Sequence, residues 1–520
     1  GGTSRFDDWK VEYGVARAHN EVKEPNQLWQ FRGNPGTVDF DFTDKLYTAT
    51  PRTPLTPAGL GFRQYTAQDE SGEEDIWSGR LDVTRRLGLG GESFLRFGAK
   101  ARATDKSFDA NNSVYARGNA ANRFTLEGLA GDRVFAKVAS GKHYLITPTL
   151  DADLIRAYTE GKLGGPQFVL NADDTLANGV LADLDLEEDV FAGYAMANLD
   201  FGDVIVTPGL RVERTKLKIN GFQLANGADV VPVSASKSYT DFLPSLIVRA
   251  TPARDVVLRA AYTRSVGRPQ YSDLTPGGEI GYEDNGDGTF DGSVSLGNPN
   301  LKPYVSDAID VSGEYYFAKG GLVSVGVFAK FIKNPIFIES FTLLDTNYGG
   351  RDYAVLGFSQ RQNGESADLI GIEAAFQQQF TFLPGLLSGF GLNANVTLTD
   401  STLRVPGRAD GAAFPEQSEL LWGAQLFYQK GRVEASLAYH HTGRALISLG
   451  DDLLTDQHND DLRRLDAKAS FAVTPNITLF AEGQNLTDEP TRQYQGGNRS
   501  WVTQNERYGR TFYVGASIKW

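Results

Sequence analysis

Between Arg432 and His440 apolar and polar side chains take turns: Val433, Ala435, Leu437 and Tyr439 alternate with Arg432, Glu434, Ser436 and His440. Successive side chains of an extended chain point to opposite faces, so this run predicts a strand with one greasy face. The preceding run repeats the pattern with Leu420, Trp422, Ala424, Leu426 and Tyr428, and only Lys430 and Gly431 lie between the two. That spacing predicts a β-hairpin.

The same two-beat recurs along the chain. It is clear at 309–317 and 323–331 around the turn Ala318-Lys319-Gly320-Gly321, and at 465–473 and 477–483 around Thr474-Pro475-Asn476. Further strands are predicted at 93–103, 204–212, 256–262, 370–376, 392–398 and 512–520, with weaker ones at 9–17, 38–50, 61–70, 76–86, 191–199 and 239–249. The connections are unequal. Those after Phe201, Ala250, Phe317 and Lys430 are short, whereas long loops are predicted at 220–235, 265–304, 334–368, 402–417, 442–463 and 487–507. Regular alternation of short and long puts all turns on one side of a sheet and all loops on the other. This is the anatomy of a transmembrane antiparallel β-barrel, with short periplasmic turns and long extracellular loops. Aromatics on the apolar face cluster at strand ends: Tyr262, Phe331, Trp422, Tyr439 and Phe512 toward the loops, and Tyr315, Phe317, Tyr428, Phe471 and Trp520 toward the turns. They would form two interfacial girdles. A soluble propeller would need a blade repeat of about 40–50 residues, and the sequence carries none.

Composition agrees with an all-β chain. Of 520 residues, 41% are hydrophobic and 11% aromatic, with 57 Gly, 31 Phe and 21 Tyr but one Met and no Cys. No run of about eighteen apolar residues occurs, which excludes a helical membrane span and leaves a barrel open. The absence of Cys removes disulfides, thiolate metal sites and a Cys nucleophile. A net charge of −14 argues against a nucleic-acid partner. Segment 105–186 is rich in Ala, Asp and Leu and helix-like near 151–160; it is read as one long extracellular loop, and a loop of that length is expected to be functional.

The polar partners of the apolar rows are the residues expected to face the lumen or whatever fills it: Arg211, Glu213, Arg259, Asp310, Glu314, Glu373, Asn395, Gln425 and Glu434. Lys330, Asn393, Asp466, Lys468 and Glu482 belong with them. In the loops, Arg268, Tyr271, Tyr282, Asp284, Phe290, Tyr304, Tyr348, Tyr353 and Trp501 are the candidates for ligand contact. Tyr rings beside carboxylates suit a sugar, and Arg with Tyr suits an anionic chelate. Other features carry less. Glu283 to Gly288 resembles the start of a calcium loop, but Val294 stands where its closing Glu should be, so a turn cluster is the better reading. His440 and His441 are adjacent on a strand and face opposite sides, unsuited to one metal. The acidic stretch Asp451, Asp452, Asp456, His458, Asp460 and Asp461 reads as solvated charge. No helix follows Gly88-Leu89-Gly90-Gly91, so it is a turn and not a phosphate loop. No nucleophile, acid/base pair, metal site or cofactor is expected, and hence no enzyme.

Leu296 to Phe317, LGNPNLKPYVSDAIDVSGEYYF, resembles the passage into a barrel strand in TonB-dependent outer-membrane receptors. Phe242 to Ala250 (FLPSLIVRA), Leu258 to Pro276 (LRAAYTRSVGRPQYSDLTP), Leu369 to Phe380 (LIGIEAAFQQQF) and Leu479 to Tyr494 (LFAEGQNLTDEPTRQY) resemble the same family, and GRTFYVGASIKW resembles its aromatic-ended last strand. The likeness runs from about residue 186 to 520. It implies a receptor barrel of which this chain holds about eighteen strands of roughly twenty-two. On that reading residues 1–520 are an N-terminally incomplete barrel domain, with the plug, TonB box and first strands outside the chain. The implied activity is capture of a small nutrient, carbohydrate or siderophore-like, at the outer loops of the cell outer membrane of a Gram-negative bacterium. Import would draw on the TonB-ExbB-ExbD complex through the N-terminal region, in contact with outer-membrane lipid and lipopolysaccharide. A passive porin-like channel and a barrel that merely anchors surface loops are the rival readings. The aromatic and acidic loops tilt the ligand toward carbohydrate.

Overall fold

The structure is a computed structural model that describes residues 1–519 apart from 35, 42–47, 90, 132–134, 140–141, 147, 226–228, 286–287, 349, 409–410 and 451. Trp520, Gly90, Asp451 and residues 286–287 of the stretch Glu283 to Gly288, all singled out above, lie outside the described residues.

Among the described residues, seventeen strands form one antiparallel meander, each pairing with the next. They are β1 (Gly2–Phe6), β2 (Trp9–Arg32), β3 (Gly61–Arg86), β4 (Phe94–Ala110), β5 (Leu184–Asp200), β6 (Val204–Ala225), β7 (Asp229–Ala253), β8 (Val256–Gly267) and β9 (Tyr304–Ala318). The series continues with β10 (Gly321–Lys333), β11 (Ser366–Gln379), β12 (Phe390–Arg404), β13 (Leu420–Lys430), β14 (Val433–Thr442), β15 (Leu462–Thr474), β16 (Ile477–Gln484) and β17 (Thr511–Ile518). Two short strands, Ser113–Arg117 and Phe168–Leu170, join the same sheet. The fold is a large all-β antiparallel sheet of the outer-membrane barrel type, and the wall counts seventeen strands where about eighteen were expected. No helix among the described residues is long and apolar enough to cross a membrane.

The register explains why these strands belong together. Val206, Val248, Ala260, Val311, Val327, Ile372, Leu398 and Leu420 stand opposite one another in turn from β6 to β13. Phe390, Tyr428, Ala435, Ala469, Ala481 and Val514 continue such a row from β12 to β17. Half of the large side chains in these rows are exposed, Val327 by 47%, and the rest are half-buried. An apolar surface this continuous is stable against lipid and would aggregate in water. The other face carries rows such as Arg249, Arg259, Ser312, Gly326, Glu373 and Thr397. Each lumen candidate named from the sequence falls on that polar face by register. Several pair there: Arg211 donates to Glu213 at 2.7 Å, Asn393 to Gln425 at 3.1 Å, and Arg259 forms an ion pair with Glu314.

Several strands run much farther than their apolar alternation suggested. The segment 220–235 was expected to be a loop, yet β6 and β7 pair residue by residue from Val204–Ala250 to Ala225–Asp229. Alternation persists there with its polarity exchanged. One face carries the apolar row Tyr13, Leu81, Ala99, Gly193, Val212 and Phe242; farther along the same face stand His19, Asp75, Asp105, Glu187, Lys218 and Ser236. On the opposite face at this height Leu184, Leu186, Leu217 and Ile219 are buried beneath Leu274 and Leu301. Strands that leave the membrane still have to bury one face, and here they bury the inner one against folded-in loops.

The 105–186 segment is folded. β4 takes its first residues, and Leu184 begins β5. Between them lie two helices, α1 (Ala152–Thr159), capped by Asp151 accepting from the N–H of Asp153 and Leu154, and α2 (Ala172–Asn178), capped by Asn171. Phe62, Tyr65 and Phe168 form a buried aromatic core with Trp29, Phe124 and Tyr158 packed against it, and Trp29 Nε1 donates to Thr159 Oγ1 at 3.0 Å. This cap sits on the tips of β2 and β3. Four of the remaining long loops form two small sheets. One runs in the order Gly278–Asp284, Phe290–Leu296, Arg351–Asn363, Ile336–Tyr348, and its two middle strands, from different loops, pair in parallel. The other joins Ala445–Ser448, Gln457–Asn459, Thr491–Gln495 and Val502–Glu506.

Candidate functional site

The motif LGNPNLKP is the lock that holds the loop after β8 inside the wall. Leu301 is buried in the leucine cluster above β5 and β6. Asn298 Nδ2 donates to the carbonyl of Arg361 at 3.1 Å, the Lys302 N–H donates to Asn363 Oδ1 at 2.8 Å, and Asn363 Nδ2 returns to the Lys302 carbonyl at 3.0 Å. Lys237 Nζ, from β7, donates to the carbonyls of Pro299 and Leu301. These contacts carry the one-turn helix α3 (Tyr271–Leu274) down against the polar face of the wall.

A cavity of about 930 Å³ results, lined by Arg102, Lys106 and Glu188 from the wall, by Arg268 and α3, and by Ser295, Ser359 and Arg361 from the loop sheet. Its charges are knitted together. Arg102 pairs with Glu188, which is buried and also accepts from the Tyr271 hydroxyl at 3.1 Å. Arg268 Nη2 reaches Glu213 at 2.8 Å and Thr215 at 3.1 Å; Arg361 pairs with Asp273 at 2.8 Å; and Lys106 Nζ lies 5.8 Å from the centre of the Tyr271 ring. Burial, with the Glu188 carboxylate second, pushes the Tyr271 phenol up to about 12, so it stays a hydrogen-bond donor. Burial works against the Arg268 cation, but the Glu213 carboxylate overcomes it and raises its pKa. The Nε atoms of Arg102 and Arg268 are buried with no hydrogen-bond partner among the described residues. Each such donor costs about 1–3 kcal/mol until an acceptor reaches it. The arrangement can therefore hold oxygen-rich groups, neutral or anionic. Among the described residues no cluster of three or more His, Asp or Glu is placed to hold a metal.

Of the loop residues singled out from sequence, Arg268 and Tyr271 line this cavity. Phe290 and Tyr353 meet at 6.3 Å, and Tyr353, 3% exposed, forms the core of the loop sheet with Val294 and Leu356 while Tyr348 packs on it. Those rings are spent inside the fold. Tyr304 begins β9 opposite Gly267, and Trp501 lies in the turn before Val502–Glu506, packed near Gly496. Tyr282 and Asp284 belong to the strand Gly278–Asp284, and their side chains lie outside the described ones. Arg102, Lys106, Glu188 and Arg361 were missed. The first two were within reach, because they continue the polar parity of β4 upward from Lys100.

Comparison with known proteins fits this geometry. The profile of the TonB dependent receptor-like β-barrel family matches residues 19–486. The chain belongs to that family. Solved structures similar to this TonB-dependent receptor barrel include the ferric-catecholate import receptor Fiu from E. coli K12 in its closed form. Its TM-score is 0.58, at 14% identity over 99% of this chain and 62% of that one. The copper transporter OprC gives 0.55 at 15% identity over 98% and 63%, and the ferric yersiniabactin uptake receptor FyuA from Yersinia pestis 0.55 at 12% over 100% and 60%. The receptor barrel described here thus spans about three-fifths of the length of these relatives. No curated protein matches it.

Proposed function

We propose that the chain forms the wall and mouth of an outer-membrane import receptor that captures a small nutrient in the cavity above β5 and β6 and passes it through the lumen with energy delivered by the TonB-ExbB-ExbD complex. The carrying observation is the cavity itself. A loop locked inward by its own motif brings Tyr271, Arg268 and Arg361 to the inner wall at Arg102 and Glu188, so that charged and hydrogen-bonding side chains converge on one cavity. A cavity on the inner wall lined by charged and hydrogen-bonding side chains from wall and loops favours capture of a ligand over simple conduction or anchoring. The ferric-chelate and copper receptors of like fold support import as the activity; the ligand has to be read from this chain's own residues. The apolar rows would meet lipid, the charged row above them lipopolysaccharide. The role is transport and not catalysis.

The test is uptake of labelled nutrients by cells carrying the full-length receptor, with and without TonB, and with Arg268→Ala. The reading expects uptake that stops without TonB and weakens by about tenfold to a hundredfold in the variant, for loss of a charged hydrogen bond. Uptake that persists without TonB would overturn it in favour of a passive channel.

A further inference from the structure

A second cavity, of about 630 Å³, adjoins the first, and Ser295 and Ser359 line both. Its character is different. None of the described residues that line it carries a charge, in a protein where 22% of residues do. The middle of the loop sheet supplies its floor. Ser295 stands opposite Ser359, Ser359 opposite Ser340, and two residues along, Ser293 stands opposite Gly357 and Gly357 opposite Thr342. All five hydroxyls therefore project from one face, at the spacings of a β-sheet, roughly 4.8 Å across strands and 7 Å along them. None of the five has a hydrogen-bond partner among the described residues, and Ser293, Ser295, Ser340 and Thr342 are exposed. Gln457 and Gln495, paired across the second loop sheet, border the same space, whereas the ring pair Phe341–Phe358, stacked at 4.8 Å, projects from the opposite face of the loop sheet, where Phe358 packs against its core.

Resting on the import reading above, we propose that this hydroxyl-lined cleft binds a neutral, hydroxyl-rich chain, an oligosaccharide, whose inner end enters the charged cavity at Tyr271 and whose outer units lie along the serine ladder. A hydroxyl both donates and accepts, so a grid of free hydroxyls and amides meets sugar hydroxyls in any orientation. A charged metal chelate would lose its hydration here and gain no counter-charge. The two cavities joined end to end suit an extended ligand, and affinity should rise with chain length until both are filled.

The experiment is isothermal titration of the full-length receptor with maltose, maltotetraose and maltoheptaose, the corresponding xylan and mannan fragments, and ferric citrate. Wild type, the double variant Ser295→Ala/Ser359→Ala, and Ser388→Ala, at a turn far from the loop sheet, are compared. In one of the sugar series affinity should increase with length and vary little with salt. The double variant should lose about tenfold for the longest member and little for the shortest, as expected for two ordinary hydrogen bonds, while Ser388→Ala matches wild type. Ser359→Asp should lose more than the alanine pair. Length-independent binding, or sugar binding indifferent to the ladder, overturns the proposal. So does tight, salt-sensitive binding of ferric citrate with no oligosaccharide bound; TonB-dependent uptake of that chelate would leave the import reading standing. Oligosaccharide binding without TonB-dependent uptake would support the cleft and sink the import reading instead.

Discussion

Replacing Leu301 by alanine should loosen one loop and leave the wall intact. Leu301 is 1% exposed and packs among Leu184, Leu186, Leu217, Ile219 and Leu274, the inner-face cluster that holds the loop after β8. Truncating a buried leucine costs about 2–5 kcal/mol, the removed transfer energy plus the cavity left behind. The four wall side chains of the cluster are fixed by continuous ladders and cannot collapse into the gap, which favours the middle of that range, about 3 kcal/mol. The loop's remaining ties are Leu274 in the same cluster and the polar contacts of Asn298, Asn363, Lys237, Arg268 and Tyr271, so the loosening should centre on the segment around Leu301. At about 1.4 kcal/mol per decade, the open population should rise roughly a hundredfold. Hydrogen exchange followed by mass spectrometry on the full-length protein reads this directly. Peptides spanning 268–303 should exchange about a hundred times faster, with β12 to β15 unchanged, while Leu344→Ala, at a site 67% exposed, stays within about 0.5 kcal/mol of wild type. Equal loss of protection in the wall, or none in the loop, would refute the claim that this one side chain locks the site.

Two further outcomes test the face assignment and the second loop sheet. Val327→Arg, in the apolar row, should cost about 2–4 kcal/mol of membrane stability and lower the heat-resistant fraction on gels, whereas Ser324→Arg on the polar face of the same strand should assemble normally; equal defects would sink the register argument. His458 stacks on Tyr494 at 5.3 Å, and burial lowers its pKa from the ordinary 6.5, with nearby Asp456 opposing the shift. A folded-state pKa below the unfolded one means that the opened loop takes up the proton first. The stability is therefore present above about 6.5 and lost as pH falls through the depressed value. Protease cutting within 445–506 should accelerate from pH 7.5 toward pH 5, and His458→Phe should flatten that rise. Asp461 is held below its ordinary 3.8: burial opposes this, and Arg499 prevails, so its window lies lower and does not overlap. An unchanged profile in the variant would assign the dependence elsewhere.

The wall was readable because its signal is local and redundant. Val323, Val325 and Val327 declare a face by themselves, and a two-residue gap at Lys430-Gly431 fixes a hairpin. Arg268 and Tyr271 stand out in the sequence as a charged and an aromatic residue in a long loop, and the structure places both on the lining of one cavity. The loop sheets were not readable. Phe290–Leu296 and Arg351–Asn363 pair in parallel across two separate loops, a contact that no local periodicity encodes. For that reason the sequence does not reveal that Tyr353 lies in the core of the loop sheet, with Phe290 and Tyr348 packed against it. The strand extensions escaped notice because apolar and polar positions trade faces above the band, so the alternation at 216–219 reads as a fading strand when it is a continuing one.

That exchange of faces amounts to a waterline drawn on the protein. Between Tyr13 and His19 on β2, and between Val212 and Lys218 on β6, the outward side chains pass from oil-compatible to water-compatible within six residues. Roughly 3.3 Å of rise per residue makes the transition about 20 Å long along the strand, or about 15 Å deep at the roughly 40° tilt of barrel strands. Sliding the barrel by one hairpin pair in either direction would submerge charge or strand grease in water. The depth of immersion, and with it the height at which the mouth cavity stands above the lipid, is thereby written into the wall before any ligand arrives.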